Sequence, residues 1–306
     1  LLFEGQYING ERNGIGKEYY NNSNLLFEGE YLNGKRNGEG KEYYDNYNIL
    51  YEGKYLNGKG KQYYSKVKLK FEGKYLYGNR WNGKGYNKNG NIDYEIKEGR
   101  GNIKEYYNNG NILFEGVYLY GQINGKVEEY YENGELKFEG EYLNGNKNGK
   151  GKEYYYFDNR KFSFEGMYLN GNKNGKGKIF YDNGSLFFEG EYLDERLNGK
   201  EYYDNGKLKF EGKYLNGRKW NGKGYNINGN MEYEITGGNG YIKEYYDNGN
   251  LKYEGVYFSG EIIYGPVREY YRNGKLLFEG EYFSGQRKGK GKEYYYNGNL
   301  LFEGEY

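Results

Sequence analysis

An aromatic residue followed by Glu-Gly recurs along the whole 306-residue chain, and this repeat limits the possible folds more than any other feature. Most intervals between motif glycines are 20 to 26 residues, and two intervals of 43 residues each contain a variant unit. In the variants, Tyr94-Glu95-Ile96 and Tyr233-Glu234-Ile235 take the place of the motif. Eleven intervals and two hidden variants give 13 units of about 23 residues, the spacing of a tandem-repeat architecture. The motif glycines are Gly5, Gly29, Gly53, Gly73, Gly116, Gly140, Gly166, Gly190, Gly212, Gly255, Gly280 and Gly304.

A longer period lies above the short one. Trp81 and Tyr94 reappear as Trp220 and Tyr233, each 139 residues later. This offset indicates duplication of a six-unit block, with variant units near residues 81–101 and 220–240. Because no shift in composition marks a boundary, residues 1–306 are predicted to form one continuous repeat array.

Each unit is predicted to be a β-hairpin. Asn-Gly pairs such as Asn33-Gly34 and Asn37-Gly38 separate alternating segments, and both residue types tolerate the positive φ of tight turns. In the first strand, Phe27, Gly29 and Tyr31 share one face. No segment between turns keeps a helical apolar stripe, so we expect an all-β chain, an elongated single-sheet β-solenoid of stacked antiparallel hairpins.

The composition is that of an ordered chain despite a mean hydropathy of −1.19. Its 54 glycines and 46 tyrosines make up about a third of the residues, and the net charge is only +1. Disordered chains have few aromatics and strong self-repulsion, and this chain has neither. Glycines beside rings predict that the rings lie flat over neighbouring strands, where a Cβ would collide. Aromatic rings then supply the buried area of a thin sheet.

This pattern resembles MORN repeats, the membrane occupation and recognition nexus family. The family unit is aromatic-x-Gly-x-aromatic-x-x-Gly-x-x-x-Gly-x-Gly, and the resemblance extends over essentially the whole chain. It implies a scaffold or protein-interaction platform that binds other proteins or copies of itself. The six positions are filled by Phe27, Gly29, Tyr31, Gly34, Gly38 and Gly40, by Phe138, Gly140, Tyr142, Gly145, Gly149 and Gly151, and by Phe164, Gly166, Tyr168, Gly171, Gly175 and Gly177.

The amino-acid composition gives no support for an enzymatic activity. The chain has no Cys and no His, which removes thiolate, imidazole and Cys/His zinc chemistry. Glu28 and Glu30 share a strand face, but the same pair recurs in five units, whereas an active site occurs once. Opposite lysines such as Lys41 and Lys152 instead predict mixed-charge ladders. We therefore predict no catalytic residue, no metal site and no cofactor.

The two tryptophan variants suggest a nucleotide site at first sight. Residues 78–84 and 217–223 fit the first seven positions of a P-loop, but Gly85 or Gly224 stands where Ser or Thr binds magnesium, and no helix follows. We interpret these segments as repeat turns in which Trp81 and Trp220 wedge a bend. An alternative is a ligand or partner platform, and the candidate residues are Trp81, Trp220, Tyr31, Tyr142 and Tyr168.

Neither nucleic acid nor membrane is favoured as a partner. The 45 basic and 44 acidic residues interleave, so there is no basic stripe for nucleic acid. The densest basic run, residues 287–292, is short and flanked by Glu293, whereas lipid-binding segments need larger clusters. Asn-rich turns such as residues 87–91 lack the carboxylates that calcium prefers. The expected localisation is cytoplasmic, with membrane or cytoskeleton association open.

The sequence thus predicts a non-enzymatic scaffold. Two alternatives stay open: a carbohydrate or cell-wall binding module, which aromatic hairpin repeats also resemble, and an antitoxin-like MORN variant that masks a partner. The chain begins and ends within the repeat, from Leu1 to Tyr306, so it is expected to be a segment of a longer chain or to add end to end. Light scattering separates these two possibilities.

Overall fold

Antiparallel strands joined by turns form all of the regular secondary structure in the described residues of the computed structural model. These are residues 2–65, 68–157, 159–193, 195–261, 264–283 and 285–306. Leu1, named above at the start of the repeat, lies outside them. The chain divides into two units, Leu1–Gly149 and Lys150–Tyr306. The all-β, hairpin-repeat prediction is confirmed.

In the first unit, the first nine strands pair in chain order to form a nine-stranded sheet, and the next four strands pair in the same way. The strands are β1 (Phe3–Ile8), β2 (Glu11–Tyr19), β3 (Leu25–Leu32), β4 (Lys35–Tyr43), β5 (Ile49–Tyr55), β6 (Gly58–Ser65), β7 (Lys68–Leu76), β8 (Asn79–Tyr86), β9 (Ile92–Ile96), β10 (Arg100–Tyr106), β11 (Ile112–Leu119), β12 (Gln122–Tyr130) and β13 (Leu136–Leu143).

β14 (Asn146–Phe157) includes the boundary between the units. In the second unit, β15 to β21 pair in chain order, and so do β22 to β27. The strands are β15 (Arg160–Leu169), β16 (Asn172–Tyr181), β17 (Leu186–Leu193), β18 (Glu195–Tyr202), β19 (Leu208–Leu215), β20 (Arg218–Tyr225), β21 (Met231–Ile235), β22 (Gly240–Tyr245), β23 (Leu251–Tyr257), β24 (Tyr264–Tyr270), β25 (Leu276–Phe283), β26 (Gln286–Tyr294) and β27 (Leu300–Glu305).

The hairpin between β3 and β4 shows how the sequence sets the register. Asn33 and Gly34 have φ of 49° and 74°, as a tight two-residue turn requires. Asn37-Gly38, predicted to be a second turn, instead lies inside β4, so that prediction is wrong. The register shifts between Gly29 and Glu30, and Gly38 has φ 58°, which is a β-bulge. Because of this bulge, β4 continues through Asn37-Gly38 as one strand, where the sequence predicted a turn between two strands.

Close contact between rings and glycines builds the core. Phe27 is fully buried, and a Cβ on Gly40 would lie 2.7 Å from its ring. Tyr31 meets Phe27 edge to face, with ring centroids 5.3 Å apart. The predicted collision between a Cβ and a flat-lying ring is confirmed. In the variant unit, Tyr94 takes the role of this phenylalanine, because its ring covers Gly85.

The ladder of strands is interrupted in each variant unit. β9 and β10 belong to different sheets and are joined through the isolated bridge between Lys97 and Arg100. β21 and β22 are separated in the same way, with a bridge between Thr236 and Asn239. Both interruptions lie beside a tryptophan-bearing strand.

Candidate functional site

A network of alternating charges lies on the aromatic face. The sequence did predict the aromatic face, but it did not predict this network. The Arg36 guanidinium lies 4.3 Å above the Phe27 ring, and it pairs with Glu42 at 2.7 Å and with Glu18. Burial opposes the charge on Arg36, but Glu18 and Glu42 outweigh it and raise its pKa. The signal was present in the sequence as an Arg or Lys two residues after the hairpin glycine and a Glu before most Tyr pairs.

The same cation–ring pair recurs in both units. Its members are Arg12 over Phe3, Arg80 over Phe71, Lys147 over Phe138, Lys173 over Phe164, Lys219 over Phe210 and Arg287 over Phe278, at 4.1 to 4.8 Å. A cation held against a ring and a carboxylate covers the aromatic face without an apolar second layer. The arrangement explains how this face buries its rings.

Tyrosine hydroxyls fasten each repeat at recurring positions. The Tyr43 hydroxyl donates to Glu28 at 2.6 Å on the charged face, and burial together with this bond raises the pKa of Tyr43 to about 12. The Tyr44 hydroxyl donates to the backbone oxygen of Tyr63 in the next repeat, at 2.9 Å. Equivalent bonds to the next repeat are made by Tyr20, Tyr107, Tyr181, Tyr203, Tyr246 and Tyr271.

The opposite face carries the predicted mixed-charge ladder. Lys41 stands across the strands from Glu28 and from Glu52. Lys152 pairs with Glu165 at 2.8 Å, so the ladder prediction is confirmed there. The glutamate pairs recur along the repeat and are spread over several surface grooves, so they are not gathered at one site.

In the first unit the ladder borders a groove of about 930 Å³. Its lining comes from β2 to β8, begins at Ile15 and ends at Asn82. The backbone of paired glycines such as Gly40 and Gly53 lies in the floor. Exposed charges such as Glu39 and Lys59 form the walls. The groove is therefore long, open and mixed in charge.

The second unit contains comparable grooves. One of about 880 Å³ is lined by residues of β15 to β19, with Gly190 and Gly199 in its floor. Another of about 890 Å³ lies on β22 and β24 to β27, with Gly280 and Gly291 in its floor. The groove is thus a product of the repeat and not of one special unit.

Each variant repeat buries a cluster of charges. In the first unit, Glu105 is 5% exposed and accepts from Arg80 at 2.5 Å and from Tyr94 at 3.2 Å. Lys70 pairs with its other oxygen at 2.5 Å. Burial opposes ionisation of Glu105, but Arg80 and Lys70 outweigh it and lower its pKa. Gln62, which also accepts from Arg80, completes the cluster.

The second unit repeats this cluster with different residues. Glu244 pairs with Lys219 and with Lys209, the latter at 3.6 Å, and accepts from Tyr233 at 2.7 Å. Burial opposes the charge on Glu244, but the two lysines outweigh it and lower its pKa to about 2. Glu201 stands in the place of Gln62 and lies 3.4 Å from Lys219. Its negative charge balances the positive charge of the second lysine. A cavity of about 340 Å³ adjoins this cluster.

The predicted platform residues separate into two groups. Tyr31 and Tyr168 are 3% and 4% exposed, and Tyr142 is half-buried with its hydroxyl donating to Glu129. These rings belong to the aromatic face and are not gathered into a surface. Trp81 and Trp220 lie in β8 and β20, half-buried, next to the interrupted ladders. The P-loop-like segments, residues 78–84 and 217–223, lie in these strands except for their first glycines, so their interpretation as repeat turns is wrong.

Two further observations concern the described part of the chain. It contains no group of three or more acidic side chains placed to hold a metal ion. None of its elements is a helix with the length and apolar character needed to cross a bilayer.

Hairpins repeated in tandem, with an aromatic face and a charged face, define a β-hairpin repeat protein. The description "MORN repeat" matches residues 3–25, 27–49, 138–156, 164–186 and 278–300. The "MORN repeat variant" matches residues 100–120, 123–144, 198–216, 238–258 and 263–283. These ten segments together cover about two thirds of the sequence, so the chain belongs to the MORN-repeat family. Neither Trp81 nor Trp220 lies in a matched segment.

Similarity to solved structures is weak. The crystal structures of TcdB2-TccC3-TEV and TcdB2-TccC3 align with 92% and 95% of this chain at 12% and 11% identity, with TM-scores of 0.19 and 0.17. The chain spans 16% and 19% of those two chains. The structure of the Photorhabdus luminescens Tc holotoxin pore aligns with 95% of this chain at 11% identity, with a TM-score of 0.16, and the alignment covers 18% of the pore chain. TM-scores this low carry no argument about fold or function. Comparison with curated proteins gives no match.

Proposed function

We propose that the protein is a non-enzymatic scaffold of the solenoid type, with about 13 repeats, whose glycine-floored grooves bind segments of partner proteins. The observation that supports this most is the groove of the first unit, which is open, long and lined by repeated residues. Its seven strands, β2 to β8, span roughly 29 Å at about 4.8 Å per strand. That length suits a helix of about 20 residues or an extended segment of about nine.

The chemistry of the groove favours a protein over other ligands. Its walls alternate Lys and Glu, so a partner with both signs of charge is complemented and a polyanion is not. The floor is glycine backbone, and the 73% exposed Ile15 supplies apolar contact at one end. A carbohydrate platform requires exposed rings, and the candidate platform residues Tyr31 and Tyr168 are buried, so these two rings do not provide one.

The test is site-specific photo-crosslinking in lysate of the native source. A benzoylphenylalanine at Glu39, inside the groove, is expected to capture one or a few proteins, and the same residue at Tyr77 is not. Tyr77 is 77% exposed and does not line the groove, so it is the matched control. The captured protein must then bind the purified chain.

A second arm removes the groove chemistry without touching the aromatic face. The triple variant Ile15→Asp, Glu39→Lys, Lys59→Glu is expected to weaken binding of the captured protein at least about tenfold. Lys35→Glu with Tyr77→Asp, both exposed and outside the groove, is expected to leave it unchanged. Equal binding by all of these variants contradicts the proposal.

A further inference from the structure

The two tryptophans occupy the same place in their respective units. The Trp81 carbonyl accepts from the Gly99 amide at 2.7 Å, and the Trp220 carbonyl accepts from Gly238 at 2.7 Å. A Cβ on Gly99 would lie 2.9 Å from the Trp81 ring, and one on Gly238 would lie 2.6 Å from Trp220. Each indole therefore rests against a glycine at the interruption of its sheet.

In the first unit, another ring is stacked on the indole. Tyr120 stacks on Trp81 with ring centroids 6.0 Å apart and an interplanar angle of 22°. The Arg100 guanidinium lies 5.0 Å from the Tyr120 ring on which it stacks, and it donates to the hydroxyl at 3.0 Å. Tyr120 is 51% exposed, so this stack is at the surface.

In the second unit, the tyrosine and the arginine of this stack are both replaced by other residues. At the offset of 139 residues, Tyr120 corresponds to Ser259 and Arg100 corresponds to Asn239. The Tyr120 amide donates to Gly99 at 2.7 Å, and in the second unit Gly260 donates to Gly238 at 3.0 Å. The hydrogen bond to the glycine carbonyl is thus kept, but its donor lies one residue further along the chain, and neither Ser259 nor Gly260 has a ring. Among the residues that the structure describes, no aromatic ring is stacked on Trp220.

We propose that Trp220 is an aromatic-binding site that takes the tyrosine or phenylalanine side chain of a partner protein, as Trp81 takes Tyr120. The first unit shows the geometry, an offset stack of one flat ring on the indole. The neighbouring charges, Arg218 and Glu261, form an ion pair and leave the site without a free charge that would select an ionic ligand. Trp81 is not a second such site, because Tyr120 already occupies it.

This inference rests on the proposed function only in that a partner protein supplies the ring. It concerns a different place from the grooves, since Trp220 lines none of the three grooves described above. A small aromatic probe therefore tests it independently of any partner and of the crosslinking experiment.

The experiment uses the full chain labelled with 5-fluorotryptophan, which gives one fluorine NMR signal per tryptophan, because the chain contains two. Trp81→Phe assigns the signals. On titration with 4-methylphenol, the tyrosine side-chain analogue, the Trp220 signal is expected to shift saturably at millimolar concentration. The Trp81 signal is expected to stay in place, and cyclohexanol is expected to shift neither.

Two reciprocal variants complete the test. Ser259→Tyr supplies the missing ring and is expected to weaken the response of Trp220 at least about tenfold. Tyr120→Ser uncovers Trp81 and is expected to make its signal respond. Circular dichroism of each variant verifies the fold, and 4-methylphenol binding to the unaltered chain is informative even if a variant fails to fold. No saturable shift at Trp220, or equal shifts at both tryptophans, overturns the proposal.

Discussion

At some positions in this protein glycine is required because an aromatic ring packs against it, and not because the chain turns there. Gly40 has no positive φ, yet the Phe27 ring fills the space where a Cβ would stand. The opposite glycine, Gly29, has the same neighbour, and its Cβ would lie 2.7 Å from the ring. A motif Phe such as Phe27 therefore demands a pair of glycines, which is why the two residue types repeat with one period.

Gly40→Ala is expected to lower the free energy of unfolding by about 1–3 kcal/mol, because the added methyl group overpacks the contact with Phe27. The measurement is urea denaturation followed by circular dichroism. Glu39→Ala, on the adjacent exposed position, is the control and should change stability by no more than about 0.5 kcal/mol. Equal effects of the two substitutions would show that the ring does not set the requirement for glycine.

The variant hairpins show what happens when an element departs from the repeat. Ile96 stands across from Gly83, where ordinary hairpins place two glycines, and it is 1% exposed. The strands then separate, and Glu105 and Arg80 are buried together beside the interruption. A buried ion pair is weak evidence of stability by itself, but removal of one partner is costly because it strands the other.

Stability of the second unit is expected to fall as the pH drops from about 4.5 to 2. The pKa of Glu244 is lowered to about 2, so its contribution is present above the unfolded-state value of 4.5 and is lost as pH approaches 2. The shift corresponds to about 3 kcal/mol. Glu244→Gln should be less stable at pH 7 and should lose less stability over this range.

The readout is urea unfolding at several pH values, followed by Trp220 fluorescence in a Trp81→Phe background. Glu234→Gln, at an exposed position on the neighbouring strand, is the control and should keep the full pH dependence. If both variants show the same dependence, the buried cluster is not its source.

At the scale of the whole molecule, contacts within the second unit join repeats that are far apart in the chain. Arg160 pairs with Asp204 at 3.4 Å and with Asp247 at 2.9 Å, across 44 and 87 residues. Burial and the neighbouring Asp247 raise the pKa of Asp204, while Arg160 opposes the rise. One guanidinium thus holds two turns of different hairpins.

Arg160→Gln is expected to destabilise these turns by about 1 kcal/mol or less, because the side chain is part-exposed. Hydrogen exchange should accelerate in residues 203–206 and 246–249 together. Arg272→Gln, which removes a 3.9 Å pair to Asp247 alone, should affect at most the second turn. Unchanged exchange in both turns of Arg160→Gln would refute this role.

Much of this architecture was predictable because the repeat averages out local ambiguity. Hairpins, the two faces, the ring-over-glycine contact and the outer Lys41 ladder follow from period two and Asn-Gly turns. The bulge at Gly38 could not be predicted, because an Asn-Gly pair is compatible with a turn or with a bulge. The Arg160 clamp and the buried Glu244 depend on distances between hairpins, which no local pattern contains.

The separation between the two faces has a consequence for how such a protein changes over generations. Substitution of Phe27, Gly40 or Arg36 disturbs the contacts that hold the sheet, whereas Glu39 and Lys59 face solvent. The outer ladder is therefore free to drift in charge while the inner face keeps the fold. Under the proposed function, a duplicated array of this kind acquires a different partner at each groove by surface substitution alone.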